Sequence, residues 1–408
     1  MLKNEWRLLT FGFLMTLFSS PGQTFFIAYF SADLRQQLSL SHAEFSAVYS
    51  AATLLSAVAV VWTGSLIDRI DLKVFSQITV FGLAAGCATL ALGGNIVTLL
   101  FAFFLLRQFG QGLMMMAASA TMVRYIADAR GTANALSGMG YRTGEAFLPA
   151  IIVAAMLMFN WQTVLLSVAA VLILFLAPAI SFLLRDHAVR HEQYVEQLTA
   201  IDSPSESMNW TRKEVLKDLR FYLLLPAVSS GALLFTGFIF HQIALVEYKQ
   251  WSLQAWGSWF VVYGITSMFA ALACGRLIDL FGAERIVPWL PLPLALALFS
   301  LAHFSAPWSA GLFLVLMSIS NGMLGTALSP FYAELYGTAN IGSIKAATSA
   351  IMVFASALSP VVLGICLDRE ISFDLLALYG GWYTVICVLL AFCALYIPAV
   401  RRESVAKT

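Results

Sequence analysis

Four ionisable side chains stand inside segments that are otherwise hydrocarbon: Arg107, Arg142, Glu145 and Lys345. An ionisable group within a membrane span costs roughly 2.5–3.5 kcal/mol on insertion scales, so its presence is a statement about function by default. Three cations against one anion form an unbalanced set, and the imbalance predicts a net positive cavity that receives an anionic solute. Arg142 and Lys345 would face a carboxylate or phosphate from opposite halves of the chain, with arginine suited to bidentate capture. Arg107 joins this substrate-binding set, and Gln23, Gln111 and Asn321 supply neutral polar groups at similar depth. Tyr141 and Tyr263 are further polar groups nearby.

Glu145 is the carboxylate expected deep in the bundle, and it is the candidate carrier of a coupling proton. Its charge is poised between desolvation and a neighbouring arginine, so a substrate that takes the arginine can change its protonation. At 1.5 Å per residue, Arg107 lies about 25 Å from Arg124, and Glu145 about 21 Å from Gly131. Adjacent antiparallel helices then bring Arg107 and Glu145 to one depth, with Arg142 one turn away on the Glu145 face. The alternative is a single buried structural network of Arg107, Arg142 and Glu145, with Lys345 snorkelling to the interface. His241, in "FIFHQIAL", is a second titratable group, read as a histidine hydrogen-bonded in place.

The elements that must position these residues follow from composition. Of 408 residues, 60% are hydrophobic and only 11% charged, against roughly 25% charged in soluble domains. The expected class is an all-α integral membrane protein. A net charge of +1 gives no reason to expect a nucleic-acid partner. The five cysteines are scattered without metal-ligand spacing, so neither a metal site nor a cofactor is expected. With about 20 apolar residues needed per span, the chain divides into twelve: 7–32, 43–67, 74–92, 96–123, 132–158, 162–184, 221–246, 253–278, 285–304, 308–332, 339–366 and 375–399. The first is read as a retained helix, since no A-x-A-like cleavage site follows it.

The polar stretch 185–219 separates six spans from six, giving an N-terminal bundle 1–184, a linker 185–219 and a C-terminal bundle 220–408. Placing the linker and both termini on one side puts seventeen Lys and Arg of the loops there and three, Arg35, Lys249 and Arg369, on the other. The positive-inside rule then makes termini and linker cytoplasmic. Within the linker, "NWTRKEVLKDL" is amphipathic enough for a short interfacial helix.

The chain also repeats itself. "GSLID" at 64–68 recurs as "GRLID" at 275–279, "GTAN" at 131 recurs at 337, "QGLMMMAAS" from Gln111 aligns with "NGMLGTALS" from Asn321, and Ser19 pairs with Ser229, all at offsets of 206 to 211. Two parallel repeats of this kind are the arrangement described for alternating-access transporters. They predict two pseudo-symmetric six-helix bundles.

At these residues the chain resembles the major facilitator superfamily over essentially its whole length. "GSLIDRIDLK" is similar to that family's G-x-x-x-D-R-x-G-R-R/K loop through Gly64, Asp68, Arg69 and Lys73, with Asp71 where glycine is usual. "GRLIDLFGAER" echoes it through Gly275, Asp279, Gly282 and Arg285, and "RQFGQG" is similar to the family's arginine-glycine motif through Arg107, Gly110 and Gly112. The resemblance implies a twelve-helix transporter with a cavity lined by spans 1, 4, 7 and 10. It also implies a latch of Gly64, Asp68, Arg69, Lys73 and Arg124 on the cytoplasmic side. Physically, Asp68 can accept from first-turn amides of a neighbouring helix and the cations can add charge-assisted bonds. Glu334 stands at the position matching Arg124, near Arg276 and Arg285, so the latch would be repeated with charges swapped through Asp279, Arg285 and Glu334.

The drug-antiporter pattern G-x-x-x-G-P-x-x-G-G is met only at Gly140 and Gly144, with Glu145 following. The start, "GQTFFIAYFSADLRQQLSLSHAEFSAVYS", loosely resembles the monocarboxylate and oxalate/formate branch. The resulting expectation is a monomeric secondary transporter in a bacterial inner membrane that imports a small organic anion with protons. A proton-driven exporter of a drug, metabolite or siderophore is the alternative, and a transporter-like sensor without flux is the other class. An enzyme is not expected, since no HExxH, GxSxG or Cys/His cluster is present.

Overall fold

The computed structural model describes residues 5–68, 70–126, 130–185, 210–337 and 341–396, and the structure is helical throughout these segments with no strand. Ten helices are long and apolar enough to cross a membrane, and they coincide with ten of the twelve expected spans. The other two differ for visible reasons. Span 1 is broken into Trp6–Phe18, a 3₁₀ turn Ser20–Gly22 and Thr24–Ala28. Pro21 and Gly22 cause the break, since one lacks an amide and the other has no Cβ to hold the turn. Span 5 is a continuous helix, Arg130–Met156, whose sequence is polar enough to fall outside an apolar criterion.

The internal repeat is written into the backbone. Ser39 and Gln250, 211 residues apart, both have left-handed backbone with φ of 52° and 55°. Ser39 N–H donates to Gln36 O and Leu40 N–H to Arg35 O; Gln250 N–H donates to Glu247 O and Trp251 N–H to Val246 O. These are two copies of one Schellman stop. Two residues later Ser41 Oγ accepts from Glu44 N, and Ser252 Oγ accepts from Ala255 N. Phe30 and His241, also 211 apart, begin the short helices Ser31–Leu38 and Gln242–Tyr248 with nearly equal dihedrals, φ −97° and −95°. At this offset Ser19 corresponds to Ser230, one place beyond the pairing expected from the sequence, and both hydroxyls donate to the carbonyl three residues back.

By compactness the chain divides into two units. The first contains the described residues within 1–204 together with Gly237–Gly264 and Ala357–Glu370; the second contains those within 205–236, 265–356 and 371–408. In the first unit, span 5 crosses span 1 along a strip of small residues. A Cβ on Gly12 would meet Ser137 Oγ at 2.6 Å, one on Gly140 the Phe13 carbonyl carbon at 2.9 Å, and one on Gly144 the Leu17 carbonyl oxygen at 3.2 Å. Small residues let the two backbones approach, as membrane helix pairs require.

In the second unit the linker's end is docked. Thr211 and Glu214 form a reciprocal capping box around one turn, Arg212–Val215. Val215 is buried with Phe221, Ala283 and Tyr336, and Trp210 N–H donates to Tyr336 O at 2.9 Å. The amphipathic stretch expected as an interfacial helix is thus a single described turn seated on the end of span 10. The rest of the linker, 186–209, lies outside the described residues.

Candidate substrate and coupling site

Arg107 is held where the break in span 1 meets span 4. Residues Leu106–Met114 of span 4 wind as a π-helix, a wider turn that recurs at functional sites. Against it lies Gly22: a Cβ there would stand 2.8 Å from Gln111 N and from Gly110 Cα, while one on Gly110 would stand 2.9 Å from Gly22 N. Backbone thus touches backbone, which only glycine at both positions allows. The Arg107 guanidinium, 2% exposed, donates through Nη1 to Gly22 O at 3.1 Å and lies over the Tyr49 ring, 5.3 Å from its centroid. Its Nε is buried with no hydrogen-bond partner. Tyr49 is held in turn by a 2.8 Å bond to Thr24 Oγ1.

Glu145, 3% exposed, does not form an ion pair with Arg107. Its carboxylate accepts from the Tyr141 hydroxyl at 3.3 Å and from Tyr263 of span 8, with Arg142 in electrostatic reach. Tyr141 is also in electrostatic reach of Arg107, so this tyrosine stands near both charges. A Cβ on Gly264, one residue after Tyr263, would meet Ala146 Cα at 3.1 Å. This close crossing of spans 5 and 8 is what brings Tyr263 to the carboxylate.

The other expected substrate residues are placed as follows. Gln23 is buried at the end of the span 1 break, its Nε2 3.5 Å from Ser19 Oγ. Gln111 is exposed on the π-helix and Arg142 is half-buried on span 5. In the second unit, Asn321 Oδ1 would be 3.4 Å from a Cβ at Gly231, so it stands between spans 10 and 7. Lys345 is exposed and donates to Ser329 Oγ at 2.7 Å. Within the first unit the fold therefore gathers Gln23, Arg107 and Gln111 around one contact, and Arg142 with Glu145 around another.

Of the expected latch, Gly64 is buried against Met116, and Lys73 is the second residue of the helix Leu72–Leu92, whose first amides are capped by Asp71, at 2.8 Å for Lys73 N. Asp71, the departure from the family loop, is thus a helix cap. The side chains of Asp68 and Arg124, and all of Arg69, lie outside the described residues. In the second unit Asp279 and Arg285 are exposed. Glu334, expected near Arg276 and Arg285, accepts from two successive amides just before Arg285, Ala283 N and Glu284 N, both at 3.0 Å. A helix N-terminus satisfies this carboxylate, because its free N–H groups and dipole favour an anion.

Residues that sequence reasoning passed over are Tyr49 and Thr24. Their signal was a polar tyrosine and threonine in otherwise apolar spans 1 and 2, at the depth of the break.

A repeated bundle of membrane helices with a broken first span and charges buried beside it defines a multi-pass membrane transporter, not an enzyme. The chain matches the Major Facilitator Superfamily over residues 12–360, and it belongs to that superfamily. No curated protein sequence matches it. Among solved structures it is similar to the nucleoside transporter NupG, with a TM-score of 0.73 and 13% identity over 96% of this chain and 99% of that one. It is also similar to a bacterial homolog of the human lysosomal transporter Spinster, inward-facing and unoccupied, with a TM-score of 0.66 and 14% identity over 96% and 95%. At such identity these likenesses establish the fold.

Proposed function

We propose that this transporter imports a small organic anion together with protons, with Arg107 as the principal anion-binding group and Glu145 as the proton carrier. The observation that carries the reading is the buried Arg107 guanidinium, whose Nε has no partner while its other contacts are a main-chain carbonyl and a ring face. A desolvated cation without a carboxylate is costly, and a carboxylate or phosphate solute would supply the charge-assisted bonds it lacks. Arg142, Gln23 and Gln111 serve the same solute from the N-terminal bundle 1–184. Binding is relayed to Glu145 through Tyr141. The chain acts as a monomer in a bacterial inner membrane, with both termini and the linker 185–219 on the cytoplasmic side, as its loop cations favour. Export of a drug, metabolite or siderophore is the competing direction.

The test is a thermal-shift screen of the purified full chain against small carboxylates, phosphate esters, nucleosides and organic cations. Carboxylates or phosphate esters are expected to stabilise wild type and to lose that effect in Arg107→Gln. Stabilisation by cations, or by nucleosides equally in both proteins, overturns the anion reading.

A further inference from the structure

The helix of span 2, His42–Thr63, begins with a complete account of its free amides. Ser41 and Glu44 form a capping box, in which Glu44 Oε2 accepts from Ser41 N at 2.9 Å and Ser41 Oγ accepts from Glu44 N at 3.1 Å. That leaves the amides of His42 and Ala43. Both are taken by Asp368, at the other end of the sequence: Oδ1 accepts from His42 N at 2.9 Å and Oδ2 from Ala43 N at 2.8 Å. A carboxylate on span 11 therefore completes the N-terminus of span 2.

Three further contacts run along the same seam within the first unit. A Cβ on Gly364 would meet His42 O at 2.8 Å and Ala43 Cα at 3.0 Å, so the two backbones are in contact there. His241 Nε2 lies 2.9 Å from Pro360 O and 3.3 Å from Ser46 Oγ. Ser50 Oγ donates to Ala357 O. Arg35 and Glu247 stand beside the cap, Arg35 in electrostatic reach of Asp368, and the His42 and His241 rings are 5.5 Å apart. All of these lie at the ends of spans 2, 7 and 11 remote from the linker.

The repeat shows that this cap is not a requirement of the fold. The pseudo-symmetric counterpart of the span 2 start is the span 8 start at Ser252, which keeps the serine cap. The residue 211 before Asp368 is Leu157, which has no carboxylate to offer. The same helix start stands in one repeat with a carboxylate from another span and in the other with none in the matching position, so the carboxylate is an addition specific to one seam.

We propose that Asp368 is a releasable cap that fastens span 11 to span 2 on the linker-distal side, and that this side opens only when the carboxylate leaves the amides of His42 and Ala43. Alternating access requires such a seam to part once per cycle. A cap built on main-chain donors can re-form without side-chain sorting, because the amides are fixed by the helix. The proposal needs only alternating access and stands whatever the substrate class.

The test places Thr24→Cys, beside the span 1 break, in the full chain in sealed vesicles. A membrane-impermeant maleimide is applied at the linker-distal face, and modification is read at residue 24 by mass spectrometry. Asp368→Asn is expected to raise the labelling rate by roughly tenfold or more, the factor that loss of one charge-assisted bond implies. His42→Pro is expected to do the same by deleting one donor. Position 42 is the first helical residue after Ser41, whose φ of −67° and ψ of 170° suit a following proline. His42→Ala keeps the amide and should label at the wild-type rate. Wild-type labelling in both Asp368→Asn and His42→Pro overturns the proposal, and so does His42→Ala matching His42→Pro, which would move the effect to the imidazole.

Discussion

Ser39 and Gln250 stand 211 residues apart and hold the same left-handed backbone, each followed by the same pair of Schellman hydrogen bonds. Neither is glycine, and a non-glycine residue in this conformation costs about 1–2 kcal/mol. Ser39→Gly and Gln250→Gly should therefore each stabilise the protein, by up to about 1 kcal/mol after the added chain entropy of glycine is subtracted. Thermal unfolding in detergent checks this, and a rise for one but a fall for the other would mean the two turns are not equivalent.

Gly138 and Gly140 make a contrasting pair on span 5. A Cβ at Gly138 meets nothing within 4 Å, whereas one at Gly140 runs into the Phe13 main chain on span 1. Gly138→Ala should be neutral or stabilising by up to about 1 kcal/mol through helix propensity. Gly140→Ala should cost about 1–3 kcal/mol through overpacking. Equal melting temperatures for the two variants would contradict the crossing described here.

Arg107 rests on Tyr49, whose hydroxyl also bonds Thr24. Tyr49→Phe keeps the ring and loses about 1 kcal/mol of hydrogen bonding. Tyr49→Leu loses the ring face as well, a further 0.5–2 kcal/mol or so at a desolvated site. Anion-induced thermal shifts should survive Tyr49→Phe and shrink in Tyr49→Leu; the reverse order would separate Arg107 from the binding site.

Glu145 accepts from Tyr141 and Tyr263. Glu145→Gln should abolish accumulation driven by an imposed pH gradient while leaving equilibrium exchange of the same solute measurable. Tyr263→Phe, which removes one donor, should weaken the coupling without ending it. Intact gradient-driven uptake in Glu145→Gln would remove the proton role.

Much of this architecture was legible in the sequence. The spans and the twofold repeat follow from hydropathy and from short matching motifs, which are local. The direction in which a side chain points was not legible. From Leu106 to Met114 span 4 winds as a π-helix, so reckoning at 3.6 residues per turn misplaces everything beyond it, and Arg107 meets Tyr49 and Gly22 instead of Glu145. Glu334 eluded the same reckoning for another reason. Its partners are amides, which every residue carries and which no pattern of side chains reveals.

The break at Pro21 and Gly22 has a chemical corollary. A kinked span usually offers a bare carbonyl to whatever passes, but here the Gly22 carbonyl is already engaged by the protein's own guanidinium. One lone pair of that carbonyl is thus already spent, and the polar group beside the kink that is left without a partner is a buried donor, Arg107 Nε. On the proposed reading, the solute at Arg107 brings the electron pair for that donor itself.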